Sequence, residues 1–208
     1  MYKNILPHSF YCRDTITVAR ELLGKIIVRE WHPSSPWATP GLRGTILAGM
    51  IVETEAYGYQ DDPASHTYKG KSVRNAAMFG PVGHAYIYFI YGNHYCFDVV
   101  ARPNDVIAGG VLVRAIEPVQ GIEIMHQLRG VKNMQHLGNG PGKLAQAMAI
   151  SKEHDHHNLM QQGSLYLTEG KVVNDDEIVA TPRIGISKAT DKLWRFCVRG
   201  NEHVSKWF

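Results

Sequence analysis

The chain has 208 residues, 44% of them hydrophobic and 20% charged, with a formal net charge of +3. That length supports one domain with a real core, and no stretch reaches the ~18 consecutive apolar residues of a membrane-spanning helix. Lys3, Asn4 and His8 occupy the place where a secretory signal needs an apolar run, and Cys12, Cys96 and Cys197 are too scattered for a disulfide framework. An intracellular, reducing location is therefore expected, cytoplasmic in a cell without a nucleus and nuclear otherwise. No Cys-x-x-Cys pair offers zinc a half-site, and the small positive excess permits a nucleic-acid partner without demanding one.

Asp14 or Thr15 is suited to cap a helix over Ile16–Leu23 that Gly24 stops. Lys25–Trp31 reads as a strand rich in β-branched residues, and the proline-punctuated segment 32–41 as a loop. A long strand over Gly44–Tyr57 and a polar loop over Gly58–Lys71 follow. His84–Val100 reads as two strands about Gly92-Asn93, and Gly110–Glu117 as another strand. Pro118 is expected to open a helix through Arg129, and Pro141 a second through about Ile150. Short strands close the chain at Ser164–Thr168 and Leu193–Val198. Closely spaced strands with irregularly placed helices predict a single α+β domain: a mixed, largely antiparallel curved sheet, helices packed around it, and a protruding β-hairpin.

In an extended strand Glu53, Glu55 and Tyr57 share one face. Two carboxylates and a ring at the end of an apolar strand suit acid/base chemistry, although two solvated glutamates on a strand edge fit the same pattern. Arg114 sits within Val111-Leu112-Val113-Arg114-Ala115-Ile116. Either it points outward from an edge strand, or it is buried and needs Glu53 or Glu55 as partner. The hairpin carries an aromatic at nearly every second residue. Its Tyr91, beside the turn, either packs on Tyr95 or projects as a wedge of the kind that unstacks base pairs. The run Glu153-His154-Asp155-His156-His157 matches no zinc spacing and reads as exposed loop. Gly138–Leu144 fails as a phosphate loop, because Leu137 replaces the first glycine and Leu144 the Ser/Thr.

Several motifs occur in one order: Val52-Glu53-Thr54-Glu55-Ala56-Tyr57, His66, Arg74-Asn75 with Met78-Phe79, Tyr86–Gly92, Val111–Pro118 and Gly140-Pro141-Gly142-Lys143-Leu144. Together, from about Leu22 to Val198, they resemble the alkyladenine (3-methyladenine) DNA glycosylase family. The resemblance implies a monomeric, metal-free and cofactor-free base-excision-repair enzyme acting on double-stranded DNA, with no membrane partner. Such an enzyme flips an alkylated or deaminated purine from the duplex and hydrolyses its N-glycosidic bond. A damaged-DNA-binding module without catalysis is the rival reading, against which Glu55 speaks.

By that resemblance Glu55 is the general base acting on water and Arg114 helps hold both. Tyr57, His66 and Tyr88 sandwich the extruded base, and Tyr91 fills the gap it leaves. No lysine falls in the matched pocket, so no Schiff base forms and an abasic site remains. Arg74, Lys69, Lys71 and Arg102 flank the site as phosphate contacts or as merely solvated charges. Lys143 begins a helix either as part of its cap or as a phosphate contact. Two positions depart from the family's usual pattern, Asn93 for an apolar residue and Asp98 for asparagine. Either discrimination against guanine is altered, or burial holds Asp98 protonated. Pocket membership of Tyr88 and Asp98 favours a three-residue hairpin loop, Gly92–His94, pairing the two; a two-residue turn would pair Tyr88 with Phe97.

Overall fold

The computed structural model describes residues 2–31, 42–90, 92 and 94–207, so the expectations for the 32–41 loop, Tyr91 and Asn93 fall outside the described residues. In chain order the elements are α1 (His8–Tyr11), α2 (Thr15–Glu21), β1 (Ile26–Glu30), β2 (Ile46–Tyr57), β3 (Ala85–Ile90), β4 (His94–Val100), β5 (Gly110–Gln120), α3 (Ile122–Arg129), α4 (Pro141–Ala147), β6 (Leu165–Thr168), β7 (Ile178–Thr181) and β8 (Arg195–Val198). Neither α1 nor β7 is evident from the sequence pattern. The strands run in the order β3-β4-β5-β2-β1-β6, with β8 on β2 and β7 on β8, and each pairing is antiparallel. This is the α+β domain with a curled antiparallel sheet that the pattern predicts.

Strand β2 organises the sheet. One edge runs along β5; on the other, Ile46–Met50 pairs with β1 and Glu53–Glu55 with β8. Register shifts between Ala48 and Gly49 and on both sides of Glu53 bend the strand where it changes partners. Glu53 and Glu55 thus stand where β2, β5 and β8 converge. The opposite side packs on α2 and α4 in an apolar core that includes Val18, Leu22, Val52, Val113, Leu144 and Phe196, whose removal from water is the main stabilising term. Asp14 caps α2 by accepting from the Thr17 amide at 2.9 Å, and the Thr54 hydroxyl ties β2 to α2 through the Ala19 carbonyl at 2.7 Å.

Three local expectations are corrected. Pro118 opens no helix: it remains in β5 opposite Gly49, beside a register shift where a residue without an N–H is tolerated. The turn into α3 comes at Gly121, whose φ is +76°. The hairpin does not have the expected register: Ile90 pairs with His94, which lies in β4 and not in the connection. Tyr88 therefore faces Cys96 and Tyr86 faces Asp98; the two-residue slip leaves every side chain on its expected face. The histidine-rich run is not an exposed loop: His154 is buried, and Asp155 accepts from the Ile87 amide of β3 at 2.8 Å.

A Cβ added at Gly121 would lie 2.3 Å from Leu47 Cδ2 and 2.7 Å from the Ile46 carbonyl oxygen, in a left-handed backbone conformation. Gly121→Ala is expected to cost about 1–3 kcal/mol of stability by chemical denaturation, whereas an unchanged midpoint would contradict this geometry.

Candidate active site

Buried charges persist only in pairs, and the convergence at β2 supplies the pairing. Arg114 of β5 donates from Nε to Glu53 Oε1 at 2.8 Å and from Nη1 to Glu55 Oε2 at 3.2 Å. Both carboxylates are 0% exposed and Arg114 7%, so neither solvated glutamates nor an outward arginine describes them. Glu53 Oε1 also accepts from Arg195 Nε at 2.7 Å and from the Ser205 hydroxyl at 2.8 Å, and its Oε2 accepts from the Ser205 amide at 2.6 Å. Glu55 has a thinner set: Oε1 accepts from the Ile184 amide at 2.7 Å and Oε2 from the Tyr57 hydroxyl at 2.8 Å.

These surroundings sort the two groups. Burial alone would raise the pKa of Glu53, but the guanidiniums of Arg114 and Arg195 and the Ser205 hydrogen bond hold it below the usual carboxylate value. Burial pushes Glu55 above that value; Arg114, the Ile184 amide and the Tyr57 hydroxyl oppose the rise without cancelling it, and the charge of Glu53 adds to it. One carboxylate is held by many donors with its pKa lowered, the other by fewer with its pKa raised.

In front of this network lies a cavity of about 400 Å³ whose lining includes Tyr57, His66, Tyr88, Asp98, Arg114 and Ile184. That size falls within the roughly 300–1,000 Å³ typical of small-molecule sites. Its floor rests on a row across four strands, Tyr86–Asp98–Leu112–Glu55 in register, of which Asp98 and Leu112 reach the lining. Glu55 itself is not on the lining but lies one hydrogen bond behind it, through Tyr57, Arg114 and the Ile184 amide. Tyr88 and Tyr57 rise from the two outer strands of that floor. Tyr88 stacks on Tyr86 at 4.9 Å between centroids, and His66 meets Tyr88 edge to face at 4.8 Å with its Nδ1 3.1 Å from the Tyr86 hydroxyl. His66 and Tyr88 therefore form one wall rather than two parallel faces. Asp98 is 3% exposed, and its Oδ1 has no hydrogen-bond partner among the described residues. Burial, with the charge of Glu55, pushes its pKa well above the usual range.

The structure thus brings together Glu55, Arg114, Tyr57, His66, Tyr88 and Asp98. Arg74 is exposed, its guanidinium 6.0 Å from the Tyr88 ring centroid. Lys143 donates to Asn139 Oδ1 at 2.9 Å in the first turn of α4, whose Pro141 lines the cavity. Sequence reasoning missed Arg183, Ile184, Arg195 and Ser205. Arg195 carried the same signal as Arg114, an arginine within an apolar strand, whereas 182–194 shows no periodicity to read. Among the described residues no group of three or more His, Cys, Asp or Glu is placed to hold a metal ion, and no helix is long and apolar enough to cross a membrane.

Residues 9–202 match the family model described as Methylpurine-DNA glycosylase (MPG). A protein of Carboxydothermus hydrogenoformans named "Putative 3-methyladenine DNA glycosylase" is 47% identical over 202 residues, covering 97% of this chain and 99% of that protein. Proteins with the same name from Clostridium acetobutylicum (45% identical; 96% of this chain, 97% of that one) and Methanoculleus marisnigri (41%; 97% and 98%) match over comparable lengths. Matched by the family model over residues 9–202 and by full-length relatives at 41–47% identity, the chain belongs to the methylpurine-DNA glycosylase family, a family of DNA-repair N-glycosylases.

Proposed function

We propose that the protein acts on double-stranded DNA as a monomer, takes an alkylated or deaminated purine of the 3-methyladenine, ethenoadenine and hypoxanthine class into the aromatic cavity, and hydrolyses its N-glycosidic bond. The observation that carries this reading is a buried, base-strength carboxylate, Glu55, held by Arg114 directly behind a ring-lined cavity of single-base size. Extrusion of a base costs a few kcal/mol and least for a damaged or badly paired one, which gives selectivity before chemistry. Tyr57 takes one face of the base and the His66–Tyr88 wall the other, attracting an electron-poor ring. Tyr91 fills the vacated stack, and Arg74 and Lys143 hold phosphates.

Bond cleavage then proceeds as the C1′–N bond breaks with its electron pair leaving on the purine, and water oxygen bonds to C1′. Glu55 takes the proton of that water, which its raised pKa favours, and its charge stabilises the oxocarbenium-like state. Oε2 already accepts from both Tyr57 and Arg114, whereas Oε1 accepts only from the Ile184 amide and has a further lone pair for water. Arg114 keeps Glu55 ionised and oriented. No lysine is among the described lining residues, which supports simple hydrolysis leaving an abasic site. Asp98 acts as a neutral acid, presenting a donor and an acceptor to the base edge, rather than as the purely accepting carboxylate that would welcome guanine's amine.

Single-turnover release of hypoxanthine or 1,N6-ethenoadenine from a duplex tests the reading. Glu55→Gln should retain lesion binding and lose at least about a hundredfold in rate; an undiminished rate removes Glu55 as the base. Asp98 has a separate test in stability. A carboxyl with a raised folded pKa contributes stability below its unfolded value and loses it as pH rises through the folded one. The melting temperature of Asp98→Asn should therefore climb relative to wild type, by a few degrees, as pH rises above about 4. A difference that does not vary with pH means that folding leaves the Asp98 pKa unshifted and the group ionised at neutral pH.

A further inference from the structure

Against the Tyr57 ring, and not among the residues lining the cavity, lies a second buried ion pair. Arg183 donates from Nη1 and Nη2 to the two oxygens of Asp62, both at 2.7 Å, and from Nη1 to the Ala56 carbonyl at 2.9 Å. Both side chains are 0% exposed. The guanidinium lies 4.6 Å from the centroid of the Tyr57 ring and 5.2 Å from that of Trp194. Asp62 also accepts from the Gly58 amide at 3.0 Å, fixing the chain just beyond Tyr57, and the residue after Arg183 donates its amide to Glu55. One cation thus anchors the ring's neighbours on three segments.

A cation stacked behind a ring would, left alone, repel a positive charge brought to the ring's front face; a bidentate carboxylate cancels most of that field at this range. We infer that the Asp62–Arg183 pair is a positioning and specificity element: it sets the Tyr57 ring and keeps that wall electrically neutral, so that a cationic purine is accepted as readily as a neutral one. This rests on Tyr57 being a wall of the base pocket, as proposed above. A purely structural pair would affect both kinds of base alike. A neutralising pair would not.

The test compares single-turnover release of a base that is cationic in the nucleotide, 3-methyladenine, and a neutral one, hypoxanthine, from otherwise identical duplexes. Asp62→Asn leaves the guanidinium unneutralised and should lower cationic relative to neutral release by at least about fivefold. The double variant Asp62→Asn/Arg183→Met, which removes both charges, should return that ratio to the wild-type value while raising the half-saturating enzyme concentration for both substrates by about threefold or more. An unchanged ratio in folded Asp62→Asn overturns the electrostatic part. Should that single variant not fold, a double variant with wild-type half-saturation, or with an altered ratio, overturns the inference. Release of neither base by the wild-type protein would instead remove the proposed function, and this inference with it.

Discussion

One guanidinium between two carboxylates governs this structure. Glu53 and Glu55 are two residues apart on β2, so a regular strand presents them to the same side, and both are fully buried. Two anions that close cannot be buried together without a cation between them. Arg114 supplies it from β5, and Arg195 adds a second from β8. Two carboxylates and two guanidiniums leave the cluster neutral overall, and it assembles only if all three strands pair as they do. The pairing of the sheet and the charge balance of the site are one requirement.

Neutral overall, the cluster is uneven within. Ser205 donates twice to Glu53 and Arg195 once, leaving it a fixed anchor. Glu55 receives one backbone amide, one phenol and the longer arm of Arg114. The reactive group of the proposed hydrolysis is the less satisfied partner of the pair. Asp98, in register with Leu112 and through it with Glu55, sits on the same floor under the same desolvation. Its pKa is raised by that burial and by the charge of Glu55.

Much of this was legible in the residues. The alternation along β2 placed Glu53, Glu55 and Tyr57 on one face, and an arginine amid apolar neighbours, if buried rather than outward-facing, needed one of those acids; both inferences rest only on strand periodicity and the cost of unpaired charge. Arg195 answers to the second rule as well. The order of motifs supplied the pocket membership of His66, Tyr88 and Asp98, which no local period encodes. What stayed hidden depends on tertiary geometry. Pro118 reads as a helix start until Gly49 is known to lie opposite it. The hairpin slip preserves the facing of every side chain, so the hydrophobic pattern cannot detect it. Arg183, Ile184 and Ser205 lie in irregular segments whose contacts with β2 span more than a hundred residues of sequence.

The division of labour between the two glutamates is tested most directly by following their side-chain carboxyl carbons by NMR through a pH titration. Glu53 is expected to titrate below, and Glu55 above, the ordinary glutamate value of about 4.3. A reversed order, or both groups titrating together at the ordinary value, would show that Arg114 does not divide them, and the assignment of Glu55 as the base would have no electrostatic foundation.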